Sequence, residues 1–245
     1  MEQTIYWKMH RLEREHWWFV SRRSMIETVL HSRLKSIGSG SRILDAGCGT
    51  GGNLDLFSQL SCDVTGLEME PGAAEIASVK SGKAVVIGSL PDQVPFRDES
   101  FDLIVLLDVL EHIEDDLGSL ASLAAKLKPG GHLLITVPAF SFLWSDHDKS
   151  HHHKRRYRLP ELVRKMRQCR LDPTYASYFN TWLFPLIALV RLLHKIRCFN
   201  TTDDLSMPYP FLNKLLTHIM SSEKHILKRG KLPFGVSIMA IGQKQ

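Results

Sequence analysis

Apolar side chains recur near helical spacing in the first forty residues. Trp18, Met25 and Val29 belong to such a set within residues 13–34, which predicts a long helix. The cluster SIGSGS at 36–41 ends it as a turn. From residue 42 the pattern becomes short apolar runs separated by helical stretches. Strands are predicted at 42–45 (RILD), 63–68 (DVTGLE), 84–87 (AVVI), 101–107 (FDLIVLL) and 133–137 (LLITV), and helices at 53–60, 72–80 and 114–127. FDLIVLL is apolar enough to be buried on both faces. Apolar strands alternating with helices predict an α/β fold with a doubly wound, mostly parallel sheet.

Beyond Pro138 the pattern changes. A His- and Arg-rich loop at 145–158 precedes a helix opening at Pro160, where a missing N–H costs little. Residues 174–179 and 236–241 read as two closing strands, which brings the sheet to seven. Between them, at about 180–232, lies an aromatic, basic insertion that reads as helical. The expected organisation is an N-terminal helical cap at 1–40 and one domain at 41–245 that carries the insertion before its last strand.

The 245 residues suffice for one large domain with a sizeable core. With 44% hydrophobic and 23% charged residues, disordered, collagen-like and coiled-coil classes are excluded for the bulk of the chain. The longest apolar stretch is LFPLIALV at 183–190, well short of the roughly 20 residues that cross a bilayer. The N-terminus has no apolar core of signal type, so a cytoplasmic protein is expected. Cys48, Cys62, Cys169 and Cys198 show no CxxC pair and no zinc spacing, so free thiols are expected. The net charge of +5 is unevenly spread: residues 1–146 carry 13 Lys+Arg against 20 Asp+Glu, and the remainder 18 against 6. The basic half fits either an anionic partner or ordinary solvated helix faces.

The loop Asp45-Ala46-Gly47-Cys48-Gly49-Thr50-Gly51-Gly52 lies between a predicted strand and a predicted helix. Glycines there let the backbone approach a ligand, and the helix start presents free N–H groups. Gly47, Gly49 and Gly52 satisfy GxGxxG, yet an acid two residues before the first glycine repels a pyrophosphate. It suits a ligand with an ammonium group and no phosphate. Glu68, ending the second strand, is placed to accept from two ribose hydroxyls. S-adenosylmethionine meets both conditions. Gly47, Gly49 and Gly51 also suit an ordinary tight strand-to-helix turn, with Asp45 capping the following turn.

LDAGCGTGG (44–52), VTGLE (64–68), FDLIVLLDVLEHI (101–113) and LKPGGHLLITVP (127–138) together resemble the class I S-adenosylmethionine-dependent methyltransferases, in their small-molecule (type 11/12-like) branch. The resemblance covers about residues 40–140 and implies the Rossmann-like methyltransferase fold. It implies that Asp45, Gly47 and Gly49 contact the methionine moiety, with Cys48 in the same cofactor-binding set. Glu68 would hold the ribose and Met69 pack on adenine. Ser89 and Leu90 would flank the adenine edge, and Asp108 and Val109 lie by the methionine end. Many relatives carry Asp where this chain has Ser89, a weaker acceptor. YFNTWLFPLIALVRLLHKI (178–196) and EHWWFVSRR (15–23) resemble one subgroup of these enzymes, whose substrate does not carry over.

Methyl transfer to a hydroxyl or ammonium acceptor releases a proton, so a base helps. The His-rich run leaves the carboxyl edge of the sheet, where ligands bind in open α/β folds. His147 is the first candidate, oriented by Asp146 or Asp148, with His151 and His152 next. The run could instead be a solvated basic loop. His147, Asp148, His151 and His153 are metal-type ligands, but no metal motif is present and no metal is expected. Arg155 and Arg156 could clamp an anionic group, with Trp18 and Tyr157 beside them in the acceptor site. Glu111 and His112 suit a helix start as well as catalysis. The N-terminal helix, with Trp17, Trp18 and Phe19, either covers the cofactor cleft or is core. The insertion could be a lid, a dimer contact, a peripheral membrane surface or, first among these, a buried helical lobe.

The function expected is S-adenosylmethionine-dependent methyl transfer to oxygen or nitrogen of a small, anionic or lipid-linked acceptor. The alternatives are a non-catalytic S-adenosylmethionine-binding module and an NAD-dependent oxidoreductase. Nucleic acid is disfavoured as a substrate, because no DPPY- or NPPY-like tetrad follows the fourth strand.

Overall fold

The computed structural model describes residues 10–58, 61–197 and 206–245. Helix α1 (Trp17–Arg33) leads into β1 (Arg42–Ala46), α2 (Leu54–Ser58), β2 (Asp63–Glu68), α3 (Pro71–Ser81), β3 (Ala84–Ile87) and β4 (Phe101–Leu107). Then come α4 (Asp116–Lys126), β5 (Leu127–Pro138), α5 (Asp146–Ser150), α6 (Leu159–Gln168), β6 (Leu171–Phe179), α7 (Phe184–Arg197), α8 (Pro210–Ser222), α9 (Lys224–Leu227) and β7 (Ser237–Lys244). The seven strands form one sheet in the order β3-β2-β1-β4-β5-β7-β6. The first five are parallel, and β7 is antiparallel to both β5 and β6. The strand order reverses between β1 and β4, which opens a crevice at their carboxyl ends.

Period-two alternation sends side chains of each strand to two cores. Ile43, Val64, Leu103 and Val105 pack with Met25, Ile26 and Val29 of α1 and with Phe57 and Met220. Leu44, Ile104, Leu106 and Ile135 pack on the other face with Leu120 and Leu123 of α4 and Leu162 and Met166 of α6. Each such side chain contributes about 1.5–3 kcal/mol through burial. The N-terminal helix is therefore packed into the same core as the sheet. Polar contacts seat it further: Trp17 N donates to Asn213 Oδ1 (2.8 Å), and Asn213 Nδ2 donates to Glu15 O (2.8 Å).

Several boundaries differ from those expected, each for a local reason. Helix α1 opens at Trp17 because the His16 ring caps it, accepting from Trp18 N at 3.3 Å. Helix α4 opens at Asp116 because Asp115 accepts from Gly118 N at 2.8 Å. β5 begins at Leu127, six residues early, since a register shift opposite Phe101 and Leu103 absorbs the KPGG stretch. β6 begins at Leu171 and takes Pro173 into an edge strand with another shift, where a missing N–H is tolerated. The 145–158 loop contains α5, opened by a capping box between Ser145 and Asp148. Helix α2 is described to Ser58; the rest of its expected span, together with Cys198 and residues 199–205 of the insertion, lies outside the described residues.

The insertion departs most from expectation. It is helical but not a buried lobe: Leu186, Leu189, Leu192 and Leu193 of α7 and Phe211, Leu212 and Leu215 of α8 are exposed, Phe211 at 80%. One buried acid anchors it. Glu223 accepts from the N–H groups of Asn180 (2.7 Å), Thr181 (2.6 Å) and Trp182 (2.9 Å), tying the end of β6 to the junction of α8 and α9. Burial raises its carboxyl above the usual range in spite of these donors. Among the described residues no helix is long and apolar enough to cross a membrane.

Candidate active site

Three neighbouring strands carry an acid at their carboxyl ends: Asp45 in β1, Glu68 closing β2 and Asp108 just after β4. Register sets Asp45 opposite Gly66 on one side and Val105 on the other. The glycine loop folds back over β2. Gly47 N and Cys48 N both donate to Leu67 O, at 2.7 and 3.1 Å. Gly47 lies at φ +75°, and a Cβ there would stand 2.6 Å from Val109 Cγ2. The fold therefore requires glycine at this position.

Glu68 is fixed by the backbone around it. Its Oε2 accepts from Gly49 N (2.8 Å), and its Oε1 accepts from Met69 N and Glu70 N (3.0 Å each). Asp108, at φ +55°, accepts from Thr136 Oγ1 (3.1 Å) and is ion-paired with Arg22 of α1. Arg22 is a site residue that sequence reasoning missed. Its signal was a charge at the helical position preceding Met25, Ile26 and Val29 on the buried face of α1. Glu13 was missed as well. It accepts from Thr50 Oγ1 (3.2 Å) and pairs with Lys80, so the segment before α1 closes over the glycine loop.

One cavity of about 1220 Å³ lies against these groups. Gly47, Cys48, Gly49, Glu68, Met69, Ser89, Leu90, Asp108 and Val109 all line it, as do Trp18, His147, Asp146 and His151. Asp45 is the exception among the expected cofactor residues. It is 1% exposed and stands behind the loop rather than on the cavity wall, which corrects the expected direct contact. Neither of its carboxylate oxygens has a hydrogen-bond partner among the described residues, so it does not cap the turn. Burial pushes its carboxyl up to about 7, against the pull of Arg22 and with the help of Glu68. The Cys48 thiol is pushed up by burial and by both acids, so it is no nucleophile. Ser89 Oγ is already engaged with Gln93 Oε1 at 3.4 Å.

The His-rich segment is organised around Asp148, not Asp146. Asp146 pairs with Lys149 at the surface (2.8 Å). Asp148 is fully buried and accepts from Arg156 Nε (2.7 Å), Arg156 Nη2 (3.0 Å) and Ser145 N (2.9 Å), and it bonds His153 Nδ1 (2.9 Å). Against the upward push of burial, the bonds from His153 and Arg156 hold its carboxyl well below the usual range. His147 lies 4.0 Å from His151, centroid to centroid. Burial, and then repulsion from His151 and His153, lower His147 well below its ordinary value and outweigh the pull of Asp148. The expected gain in basicity from a neighbouring acid is thus reversed. His147 is neutral at neutral pH, a proton acceptor of low strength.

Three expected acceptor-site residues belong to the framework instead. Tyr157 is fully buried in the core, and its hydroxyl donates to Asp116 Oδ2 at 3.0 Å. Arg155 pairs with Asp116 at 3.1 Å and donates to Glu114 O at 2.9 Å, away from the cavity wall. Arg156 reaches the wall, but its guanidinium is committed to Asp148 and Ala139 O. Part of the basic excess of the C-terminal half is likewise used internally, by Lys165 on Asp116 and Lys244 on Leu127 O. Trp18 does line the cavity, stacked on Phe179 with centroids 6.1 Å apart. The same cavity is also lined by the apolar side chains of Leu183, Leu186, Ile187, Val190 and Leu216.

Residues 21–188 match the family model of a methyltransferase domain. The chain belongs to this methyltransferase family. Ubiquinone biosynthesis O-methyltransferase of Xanthomonas campestris pv. campestris is 31% identical over 103 residues, 40% of this chain and 43% of that protein. The chain thus matches less than half the length of that relative. The protein of the same name from Photobacterium profundum is 25% identical over 183 residues, 64% of this chain and 78% of that one. Among solved structures, a geranyl diphosphate methyltransferase in complex with S-adenosylmethionine has a TM-score of 0.62 at 15% identity, covering 93% of this chain and 90% of that one. An S-adenosylmethionine-dependent methyltransferase from Archaeoglobus fulgidus has 0.60 at 16% identity, covering 91% and 94%. These two likenesses carry the fold: the seven-stranded, mostly parallel sheet is that of a Rossmann-like methyltransferase.

The residues of the methyltransferase domain fit the family's cofactor. Arg22 lines the cavity and its Nε is buried without an acceptor, which the carboxylate of an amino-acid zwitterion supplies, while Asp108 on the wall and Asp45 buried behind the loop favour its ammonium through their charge. Glu68, held rigid on the cavity wall, matches a ribose diol. The volume exceeds what a single small ligand fills, which leaves room for an acceptor.

Proposed function

We propose that this chain is an S-adenosylmethionine-dependent methyltransferase acting on oxygen, or secondarily nitrogen, of a small acceptor with a substantial apolar part. The observation that carries this reading is one chamber with two unlike walls. One wall bears Glu68, Asp108 and Arg22 around the glycine loop, and the other bears Leu183, Leu186, Ile187 and Val190. Oxygen is preferred because the relatives are named for O-methylation.

Bound S-adenosylmethionine supplies an activated methyl group on sulfur, and transfer is an in-line displacement governed by positioning. Glu68 orients the ribose end. Arg22, released from Asp108, holds the carboxylate of the methionine end. Trp18 and the α7 side chains exclude water. His147, neutral and facing the chamber, accepts the proton from an acceptor hydroxyl as the oxygen reacts. The exposed apolar faces of α7 and α8 suit a lipid-linked acceptor drawn from a membrane surface.

The test is turnover with labelled S-adenosylmethionine against matched phenolic and amine acceptors, each with and without a polyprenyl-type tail. The reading expects tailed oxygen acceptors to lead. Saturable S-adenosylhomocysteine binding with no turnover of any acceptor would favour a non-catalytic binding module. Binding of NAD in its place would favour an oxidoreductase.

A further inference from the structure

In the lining of the same chamber a second cluster is assembled from residues far apart in sequence. β4 ends in a single 3-10 turn, Leu110–His112, which presents Glu111 and His112 side by side. The segment after α5 brings His153 against them. The His112 and His153 rings meet edge to face with centroids 4.6 Å apart. One ligand atom each from Glu111, His112 and His153 lie within 4.8 Å of one another, and all three residues line the cavity. We propose that Glu111, His112 and His153 form a binding site for a divalent cation of the zinc, manganese or iron(II) type.

Three observations carry the assignment. Two imidazoles and one carboxylate are a donor set suited to these ions, with positions left open for exchangeable ligands. Glu111 is 1% exposed, and its Oε2 has no hydrogen-bond partner among the described residues. A buried ionised carboxylate in that state is costly, and a cation beside it relieves that cost.

The histidines are also oriented as metal ligands are. His153 Nδ1 is bonded to Asp148 Oδ1 at 2.9 Å, which leaves Nε2 free to coordinate. The His112 ring is bonded to the backbone of His151. Such outer partners fix ring orientation at metal sites. His147 and His151 surround the cluster, each with its ring centroid 5.9 Å from that of His153.

A cation held there faces the chamber that also contains Glu68 and Asp108. This extends the proposed function, on which it rests for its catalytic meaning: an acceptor hydroxyl that ligates the ion loses its proton more readily. The acceptors favoured are then oxygen groups able to coordinate a metal, such as phenols with an adjacent hydroxyl or methoxyl. The weak basicity of His147 is thereby compensated.

The test uses the full chain, freed of metal by a chelator and without cofactor or acceptor. Zn²⁺, Mn²⁺, Co²⁺ and Mg²⁺ are titrated by calorimetry, and Co²⁺ also by visible absorption. One Co²⁺ or Zn²⁺ per chain is expected, with imidazole-type absorption for Co²⁺. Glu111→Gln, His112→Asn and His153→Ala should each weaken binding at least tenfold, while His225→Ala, on exposed α9, leaves it unchanged. S-adenosylhomocysteine binding by each variant checks that it is folded. No stoichiometric binding of any of the four ions overturns the proposal, as does binding that all three variants retain. Metal binding without cofactor binding would instead count against the methyltransferase reading alone.

Discussion

On one side of the cavity, Glu68 and Asp108 end strands separated by β1 alone, and Glu68 is held by three loop N–H groups. The apolar lining is different: Trp18, Leu183, Ile187 and Leu216 come from α1, the segment after β6, α7 and α8, almost 200 residues apart. The first wall is set by parallel register, which cannot slip without turning every buried side chain outward. The second is set by helix packing and by one buried acid, Glu223. The difference lies in what fixes each wall: backbone register for the first, side-chain packing for the second.

The sharpest way to break this contrast is Glu223→Ala. It leaves two buried N–H groups and a part-buried third without an acceptor and should cost about 3 kcal/mol in urea denaturation. Under conditions where the variant stays folded, cofactor affinity should change less than acceptor turnover. A loss of stability near zero would mean that the second wall does not depend on this anchor.

Glu68→Ala probes the first wall. It should lower S-adenosylhomocysteine affinity about 10–100-fold, the equivalent of about 1.5–3 kcal/mol. Unchanged affinity, measured by calorimetry, would remove Glu68 from the ribose role.

Asp45 gives a smaller, pH-dependent effect. Its folded value of about 7 lies above the ordinary 3.8. The folded state therefore holds this proton through a window where the unfolded chain releases it, and the group's contribution to stability falls as pH rises from about 4 to about 7. Asp45→Asn should be more stable than the parent at pH 8, with the gain shrinking toward pH 4, as thermal melts would record. Ligand affinity in the parent should rise with pH up to about 7, because an ammonium favours the ionised acid, and Asp45→Asn should flatten that rise. A pH-independent difference in melting would contradict the assignment.

The smallest effect on stability belongs to the exposed faces. Leu189→Lys and Phe211→Lys should stay within about 0.5 kcal/mol of the parent. They should nevertheless reduce co-sedimentation with phospholipid vesicles. Retained vesicle binding, or a shift from dimer to monomer in sedimentation velocity, would assign the faces to another partner.

The first wall was legible in the sequence for the reason that makes it rigid. A strand, a glycine loop and an acid at a strand end are local, and β1 to β5 follow one another in the chain. Strand positions and nine of the ten expected cofactor residues therefore fall where the cavity is. Asp45 was recognised as important, but its burial behind the loop is a matter of side-chain depth that spacing does not encode. The second wall depends on contacts between residues such as Ser21 and Thr217, which no local pattern reveals. Tyr157, Arg155 and Arg156 were misread because a basic run looks the same whether its charges meet a ligand or meet Asp116 and Asp148. Glu111 and His112 lie some forty residues before His153, so their convergence appears only once α5 and the turn after β4 are seen together.

The central claim is that the sheet-edge wall is a cofactor site, and calorimetric titration with S-adenosylhomocysteine tests it most directly, with NAD run in parallel and Glu68→Ala as the control. The account predicts saturable one-to-one binding of S-adenosylhomocysteine, no binding of NAD, and at least tenfold weaker binding by the variant. Binding of NAD alone, or of neither ligand, would contradict it.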